Sequence, residues 1–357
     1  MPSRTVLFAV LNWGMGHATR TAPLIEATLA AGHRVHVASQ GVGLAWLRER
    51  FGSAGVTFHD KPGRHISYAE RWNFLHIAGQ MPGFLRSIQE ELEWTAAFVA
   101  EHGVDRVFSD NCYGVATSAV PSILMTHQLH LPVPVGLRPM ARRVVRGWCE
   151  RFDEIWVPDL EGAGALSGRL GHPALLPGRT RYVGPLSHLA GLVGRPSGEA
   201  WTAVGMVSGP EPHRTLMEEG LRGWLSGVPG QHVIFAGRPG GGERRDGNVL
   251  TRYSAPAEEI VGAWEDAKFF VCRAGYSTVL DLACQGKPAV IIPTPGQTEQ
   301  LQVAQHLAQD DSFRVLTQQQ LLTGRMPAAS ELLQLPQRQR IEGNVHATKQ
   351  LLAWLHS

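Results

Sequence analysis

The run Thr5-Val-Leu-Phe-Ala-Val-Leu-Asn-Trp-Gly-Met-Gly-His-Ala-Thr-Arg20 joins an apolar stretch to a glycine-rich turn. An apolar-periodic stretch then extends from Ala22 to Ala31, and the pair Gly32-His33 ends it. The residues Arg34–Ala38 have the pattern of a second strand. Strand, glycine-rich turn, helix and strand in this order are typical of a βαβ unit, so the opening predicts an α/β fold with a parallel sheet.

Polar residues follow the ends of further predicted strands in this half. A strand over 106–109 ends at Asp110, a strand over 122–126 ends at His127, and a strand over 155–157 is expected to be the last. Ligands of open α/β sheets bind beyond the carboxyl ends of the strands. Asp110, His127 and the neighbouring Gln128 are therefore candidate site residues.

The same plan begins again after residue 200. Strands are predicted over 202–207, 231–236, 269–272 and 289–292, with helices between them. Two successive α/β halves predict two Rossmann-like domains facing a cleft. We expect an N-terminal domain at 1–185 and a C-terminal domain at 186–357, with the last helix, Val345–Leu355, able to pack on either one.

The composition favours a well-packed globular protein. The chain has 357 residues, a natural length for two domains. Hydrophobic residues make up 43% and charged residues 18%, whereas charged residues usually make up roughly 25%. A net charge of +2 lacks the basic excess expected of a protein that binds nucleic acid.

Targeting signals are not evident in the sequence. The four cysteines form no C-x-x-C pair, which favours free thiols in a reducing compartment. No apolar run approaches the ~20 residues that cross a bilayer, so we expect a cytoplasmic protein. The predicted helix 137–149 carries four arginines, for which a solvated basic face is favoured over peripheral contact with the inner face of the membrane.

The segment Cys272-Arg-Ala-Gly-Tyr-Ser-Thr278 is predicted to turn from a strand into a helix. A helix N-terminus presents free N–H groups, and Ser277 and Thr278 would add hydroxyl donors for a diphosphate. Gly275 would let the diphosphate approach the backbone, and Asp281 could accept hydrogen bonds from a ribose. The alternative is an ordinary helix cap with Asp281 as a favourable acid in the first turn.

Two other loops stand at predicted strand ends of the same half. The loop Pro293–Gln300 ends in Glu299 and Gln300, whose side chains could bind sugar hydroxyls, or it could be a surface loop that caps a helix. The pair Ser208-Gly209 follows another strand. Three such loops at strand ends favour a donor site.

The run from Phe269 to Gln300 resembles the donor-binding region of GT-B glycosyltransferases. It is most similar to the N-acetylglucosaminyltransferase that completes the lipid-linked peptidoglycan precursor, and to its uncharacterised relatives. The resemblance implies a UDP-sugar donor as co-substrate, no metal or other cofactor, and inversion at the anomeric carbon. It assigns the diphosphate to Ser208 and the Ser277-Thr278 turn, and the transferred sugar to Glu299 and Gln300. Asp281 stands where the family usually has Glu for the ribose.

The turn around Gly14 and Gly16 resembles the histidine-containing acceptor loop of the same enzymes, and Gly16 is grouped with the donor-binding residues. His17 suits a general base, and Asp110 could orient its imidazole, as a His–Asp pair does in several GT-B enzymes. His17 could equally be a structural histidine at a helix start, with His127 as the reserve base. Arg273 would either stabilise the leaving diphosphate or be buried behind the turn.

The sequence predicts a glycosyltransferase that transfers a sugar to an unknown hydroxyl acceptor, either a small molecule or a lipid-linked one. The first alternative is hydrolysis of a nucleotide sugar, because Gly14-Met-Gly-His-Ala-Thr-Arg20 also resembles the G-x-G-H-x-x-R turn of UDP-sugar hydrolases. The second is a sensor that binds nucleotide sugars without turnover. Aromatic residues within 62–82, among them Tyr68, Trp72 and Phe74 together with Arg71, could line the acceptor site or pack internally.

Overall fold

The structure is a computed structural model that describes residues 2–63, 74–196, 198–238 and 240–357. The side chains of 74–78 and 80 are not part of this description. The candidate acceptor residues Tyr68, Arg71 and Trp72, and the side chain of Phe74, therefore lie outside the described residues.

Fourteen strands are present in the described part of the chain. They are β1 Thr5–Val10, β2 Arg34–Ser39, β3 Thr57–Asp60, β4 Arg106–Asp110, β5 Ser122–Met125, β6 Glu154–Val157, β7 Thr180–Tyr182, β8 Trp201–Met206, β9 Gln231–Phe235, β10 Glu243–Asp246, β11 Val249–Arg252, β12 Phe269–Cys272, β13 Ala289–Ile291 and β14 Phe313–Val315.

The α-helices of the described residues lie between these strands or follow β14. They are α1 Gly16–Ala30, α2 Gly41–Phe51, α3 Phe74–His102, α4 Arg138–Cys149, α5 His213–Leu225, α6 Ala257–Asp266, α7 Tyr276–Gln285, α8 Thr298–Leu307, α9 Gln318–Leu322, α10 Ala329–Leu332 and α11 Val345–His356. Short 3-10 helices lie at Val135–Leu137, Gly162–Gly164 and Gly168–Leu170.

The chain divides into two compact units. The first unit comprises Met1–His188 together with Gly343–Ser357, and the second comprises Leu189–Glu342. The division at 188 lies three residues after the predicted boundary at 185. The last helix, whose position the sequence left open, is part of the first unit, where α11 contacts α1.

The first unit contains a parallel sheet in the order β3-β2-β1-β4-β5-β6-β7. Strands β1 to β3 are added on one side, and the chain then returns to place β4 on the other side of β1. This reversal makes the carboxyl ends of β1 and β4 a topological switch point, which is where ligands bind in open α/β sheets.

The second unit contains a sheet in the order β10-β11-β9-β8-β12-β13-β14. Its strands are parallel except β10, which pairs antiparallel with β11 at the edge. Strands β9 to β11 are added on one side of β8, and the chain then returns to place β12 on the other side. The carboxyl ends of β8 and β12 therefore form the switch point of this unit. Both units therefore have the α/β architecture that the sequence predicts.

The elements that the sequence did not reveal have physical explanations. Helix α1 begins at Gly16 and not at Ala22, because the buried face of its first turns is polar and hides the helical period. The strand over 155–157 is not the last of its half, since β7 follows as a three-residue strand with only partly buried or exposed side chains. Strand β10 could not be predicted from an alternation of apolar and polar residues, because all four of its residues are charged.

Burial of α11 in the core of the first unit gives a test of its contribution. Leu351 is fully buried in one cluster with Leu24 and Ile25 of α1. We expect Leu351→Ala to destabilise the first unit by about 2–5 kcal/mol, since it leaves a cavity. Hydrogen exchange measured by mass spectrometry should then become faster in β1 and β2 and stay unchanged in β8 and β12.

The matched control is Val345→Ala, because Val345 begins the same helix and is 52% exposed. This substitution should change stability by less than about 0.5 kcal/mol. Equal exchange rates in the two variants would show that α11 does not stabilise the first unit.

Candidate functional site

Four residues of the first unit form what we call the His17 cluster: His17, Arg20, Asp110 and His127. His17 and Arg20 lie in the first turns of α1, which follows β1, and Asp110 is the last residue of β4. Val10 of β1 pairs with Asp110, so both elements end at the switch point. The cluster therefore lies where the topology places ligand-binding residues.

The Asp110 carboxylate is fully buried and accepts several hydrogen bonds. Oδ2 accepts from Arg20 Nε at 2.9 Å and from Thr21 Oγ1 at 2.8 Å. Oδ1 lies 3.0 Å from His17 Nδ1 and also accepts from Arg20 Nη2. Burial alone would raise the pKa of Asp110, but the charge of Arg20, and after it His17, hold that pKa far below its usual value. Asp110 is therefore an anion with its acceptor capacity in use.

His17 is buried and neutral at neutral pH. Burial lowers its pKa, Arg20 lowers it further, and Asp110 acts in the opposite direction. His17 Nδ1 lies 3.0 Å from the anionic Asp110 Oδ1 and 2.9 Å from Arg20 Nη2. The structure thus brings together the two residues that the sequence predicts to be catalytic.

The predicted residues after β5 lie beside this pair. His127 Nδ1 lies 3.2 Å from Arg20 Nη1. The N–H of Gln128 donates to Thr126 Oγ1 at 3.0 Å, and this hydroxyl donates to Asn111 Oδ1 at 2.8 Å. Asn111 directly follows Asp110 and has a φ of 60°, which is uncommon for a residue other than glycine. Asparagine adopts this left-handed conformation more readily than most other residues.

Three loops of the second unit form what we call the donor edge: Ser208-Gly209 after β8, 273–278 after β12, and 293–300 after β13. β12 pairs with β8 through Cys272 and Met206, and with β13 through Cys272 and Ile291. The three loops therefore follow neighbouring strands. The candidate donor residues of the second unit are thus brought to one edge of its sheet, at and beside the switch point, whereas Gly16 begins α1 in the first unit.

Helix α7 begins at Tyr276, one residue earlier than the sequence predicted, and its N-cap is Gly275. Gly275 has no side chain that could cap the helix. Ser277 and Thr278 are therefore in the first helical turn, not at the cap, and both are partly exposed. This geometry argues against the ordinary Ser/Thr cap as the reason for the motif.

Arg273 is fully buried and bonded to neighbouring loops. Its Nη2 donates to the carbonyl of His213 at 2.6 Å and to Gln318 Oε1 at 2.7 Å. Its Nη1 donates to the carbonyl of Ile292 at 3.2 Å. Burial lowers the pKa of Arg273 to about 10, so it stays charged at neutral pH. The sequence allowed Arg273 to face the diphosphate or to be buried behind the turn. The structure places it behind the turn, where it joins the ends of β12 and β13 to the start of α5.

The remaining predicted donor residues differ in their accessibility. Asp281 lies in the second turn of α7 and not in the first, and it is only 8% exposed. Glu299 lies in the first turn of α8 and is partly buried. Gln300 Oε1 accepts from the N–H of Thr294 at 2.9 Å, and its Nε2 donates to Gln297 Oε1 at 2.6 Å. Gln300 therefore braces its own loop in this conformation.

Comparison with known proteins adds a family match that covers much of the second unit and part of α11. Residues 248–351 match the glycosyltransferase family 28 C-terminal domain. A UDP-N-acetylglucosamine--N-acetylmuramyl-(pentapeptide) pyrophosphoryl-undecaprenol N-acetylglucosamine transferase of Nitratidesulfovibrio vulgaris is 33% identical over 85 residues. That alignment covers 23% of this chain and 22% of the relative.

Two solved structures are similar over nearly the whole chain. The calicheamicin glycosyltransferase CalG4 has a TM-score of 0.66 at 16% identity and covers 100% of this chain and 99% of its own. MurG of Acinetobacter baumannii has a TM-score of 0.61 at 14% identity and covers 99% of both chains. The chain has the GT-B fold.

The GT-B fold and the family resemblance expected from 269–300 are thus confirmed. Arg20 is the residue that sequence reasoning missed as part of the site. The available signal was its position three residues after His17, which places both side chains on one face of a helix. The motif G-x-G-H-x-x-R contained it, but the predicted helix began only at Ala22.

Within the described ranges, no group of three or more His, Cys, Asp and Glu residues could hold a metal ion. In the same part of the chain, no helix is both long enough and apolar enough to cross a bilayer.

The burial of Asp110 predicts a pH-dependent stability difference. Its folded pKa is lowered, so its stabilising effect is present above its unfolded pKa of about 3.9 and is lost as the pH falls towards the folded value. At pH 7, Asp110→Asn should destabilise the first unit by about 3–5 kcal/mol, because it leaves Arg20 buried without its anion. The difference from the unsubstituted protein should shrink below about pH 4, measured by urea unfolding at several pH values.

The control is Asp60→Asn, since Asp60 ends β3 and is exposed. It should leave the unfolding midpoint nearly unchanged at every pH. A destabilisation by Asp110→Asn that is equal at pH 7 and pH 3 would contradict the assignment of an ionised, stabilising carboxylate.

Proposed function

We propose that the protein is a glycosyltransferase that moves a sugar from a nucleotide-sugar donor, a UDP-sugar, to a hydroxyl acceptor. The observation that carries the proposal is the buried hydrogen bond between His17 Nδ1 and Asp110 Oδ1 at the switch point of the first unit. It leaves a neutral imidazole with Nε2 as its basic nitrogen, as removal of a proton from an alcohol requires. The GT-B fold of the whole chain supports the same reaction class.

The donor edge supports a nucleotide diphosphate as the leaving group. The first N–H groups of α7 and the hydroxyls of Ser277 and Thr278 are hydrogen-bond donors at the positive end of a helix dipole. Ser208 and Gly209 follow the neighbouring strand. A uridine nucleotide is favoured because the partly aligned relative is named for transfer from UDP-N-acetylglucosamine. Asp281 is assigned to the ribose, and Glu299 and Gln300 to the transferred sugar.

The reaction follows from these assignments as a single displacement. His17 Nε2 takes the proton of the acceptor hydroxyl while its oxygen attacks the anomeric carbon. The bond from this carbon to the diphosphate oxygen breaks, and UDP leaves with the electron pair. Attack opposite the leaving group inverts the anomeric centre. Asp110 is not available as a nucleophile, because Arg20, Thr21 and His17 all bind its carboxylate.

The turn of α7 supplies the charge stabilisation that the leaving diphosphate needs. Backbone N–H groups that are already oriented stabilise developing negative charge without reorganisation. On this basis we propose that the reaction proceeds without a metal ion. Peripheral contact of a cytoplasmic protein with the membrane also remains a proposal, supported by the exposed arginines of α4.

A nucleotide-sugar hydrolase is the second candidate. The observation that favours it is the participation of Arg20, the last residue of the G-x-G-H-x-x-R turn, in the His17 cluster. In that reaction His17 Nε2 would take a proton from water, and the sugar would be released with inversion. A sensor without turnover would use the donor edge alone.

Binding of UDP tests the donor edge. The double substitution Ser277→Ala with Thr278→Val removes two hydroxyls and leaves the backbone of α7 in place. We expect UDP to bind roughly 10- to 100-fold more weakly, because a hydrogen bond to a charged group contributes about 1.5–3 kcal/mol. Isothermal titration calorimetry without added metal measures the change.

The control for this experiment is Ser226→Ala, whose hydroxyl donates to the carbonyl of Gly223 on an exposed surface of the same unit. Affinity equal to that of the unsubstituted protein in the Ser277/Thr278 variant would show that the diphosphate binds elsewhere. Stabilisation by another class of nucleotide, but not by UDP, would overturn the uridine assignment.

Release of UDP from a UDP-sugar tests His17. We expect His17→Gln to lower the turnover number by roughly 100- to 10,000-fold, the usual contribution of a general base, with donor affinity within about twofold. The exposed His346→Gln serves as the control. Turnover that requires an added acceptor indicates transfer, release without acceptor indicates hydrolysis, and unchanged turnover in His17→Gln would remove His17 as the base.

A further inference from the structure

Arg20 contacts all three of the other members of the His17 cluster. It is 3% exposed, so its guanidinium is positioned by the protein and not by solvent. Nε and Nη2 bind the two oxygens of Asp110, a bidentate arrangement that fixes the plane of the guanidinium. Nη1 lies 3.2 Å from His127 Nδ1, and Nη2 lies 2.9 Å from His17 Nδ1.

The proton positions on His17 follow from these contacts. His17 Nδ1 lies between an anionic oxygen of Asp110 and a nitrogen of Arg20 that can only donate. If Nδ1 carried a lone pair, it would face the carboxylate with unfavourable charge. Arg20 Nη2 has two protons and could bind both groups, but the Asp110 oxygen can only accept, so the 3.0 Å contact is a hydrogen bond only when His17 Nδ1 carries a proton. We assign the proton to Nδ1 on this ground.

The same reasoning gives the opposite result for His127. Its Nδ1 faces Arg20 Nη1, which has protons and no lone pair to offer. His127 Nδ1 must therefore accept, and the proton of the neutral ring is carried by Nε2. A proton on Nδ1 would point at a guanidinium, and a doubly protonated ring would add a second positive charge beside Arg20.

We propose that Arg20 is a positioning residue that gives the two histidines opposite tautomers: His17 accepts a proton through Nε2, and His127 donates a hydrogen bond through Nε2–H. His127 is then not the reserve base. It is a donor for an oxygen of the substrate, either a sugar hydroxyl or the oxygen of the bond that breaks. The catalytic part of this assignment rests on the proposed function, whereas the tautomers do not.

Arg20 also contributes to the charge state of His17. The charged or titratable groups that face His17 are Arg20 on its own helix, Asp110 at the end of β4, and His127 after β5. Burial has the largest effect and lowers the pKa of His17, and Arg20 lowers it further against the effect of Asp110. Loss of the Arg20 charge should therefore raise this pKa, so that His17 becomes protonated at a higher pH.

The tautomers can be measured in the substrate-free protein. Long-range ¹H–¹⁵N spectra of protein labelled with ¹⁵N-histidine distinguish protonated from unprotonated ring nitrogens. The variants His17→Gln and His127→Gln assign the signals. At pH 7 we expect the proton of His17 on Nδ1 and that of His127 on Nε2. The same tautomer in both rings, or a doubly protonated ring at either position, would overturn the proposal.

Substitution of Arg20 tests the cause. In Arg20→Gln we expect His17 to titrate at a higher pH and the signals of His127 to show exchange between both tautomers. Arg20→Lys keeps the charge but cannot bind Asp110 and His127 together, so it should retain the low pKa of His17 and lose the single tautomer of His127. Circular dichroism tests whether both variants fold. If neither folds, the spectra of the unsubstituted protein still show which tautomer each histidine has.

Activity provides the separate readout. If UDP-sugar turnover is found, its acidic limb should move to higher pH in Arg20→Gln, and the turnover number should fall by roughly 10- to 100-fold with KM for the donor within about twofold. An unchanged pH profile, or an effect on KM alone, would contradict the role of Arg20. Opposite tautomers without any turnover would leave the role of Arg20 intact and refute the proposed function.

Discussion

One buried negative charge, the carboxylate of Asp110, determines how the first unit is organised. A buried carboxylate is costly unless it is paired and hydrogen-bonded, and three of the four side-chain bonds to Asp110 come from Arg20 and Thr21 on α1. These bonds hold the first turns of α1 against the end of β4. His17 is on the same turns, so the constraint that keeps the charge buried also fixes the orientation of the imidazole.

The second unit has a buried charge of the opposite sign at the corresponding place. Arg273 follows β12 at the switch point, and its guanidinium donates to the carbonyls of His213 and Ile292 and to Gln318. Within the described residues, no carboxylate lies within ion-pair distance of it. In the first unit the buried ions neutralise one another, whereas in the second the positive charge is balanced by dipoles only.

The sequence was sufficient to predict the α/β fold, because apolar runs followed by glycine-rich turns and helices are typical of parallel strands. It also indicated His17, Asp110 and His127 as candidates, since polar residues after strand ends are visible without coordinates, and the structure places these side chains in one cluster with Arg20. Arg20 was missed because the sequence does not distinguish a buried, ion-paired arginine from an exposed one. Its partner Asp110 is 90 positions away in the chain. The burial of Arg273 and the bracing of the 293–300 loop by Gln300 depend likewise on contacts that no local pattern encodes.

The position of α11 makes the first unit discontinuous along the chain. The polypeptide leaves this unit after His188, builds the whole second unit, and returns at Gly343 to cover α1. Residues 1–188 made alone would expose the apolar face against which Leu351 and Trp354 pack. Exchange of the second unit between proteins of this architecture therefore needs two junctions, near 188 and near 343, because a single crossover would separate the helix that carries His17 from α11, which packs on it.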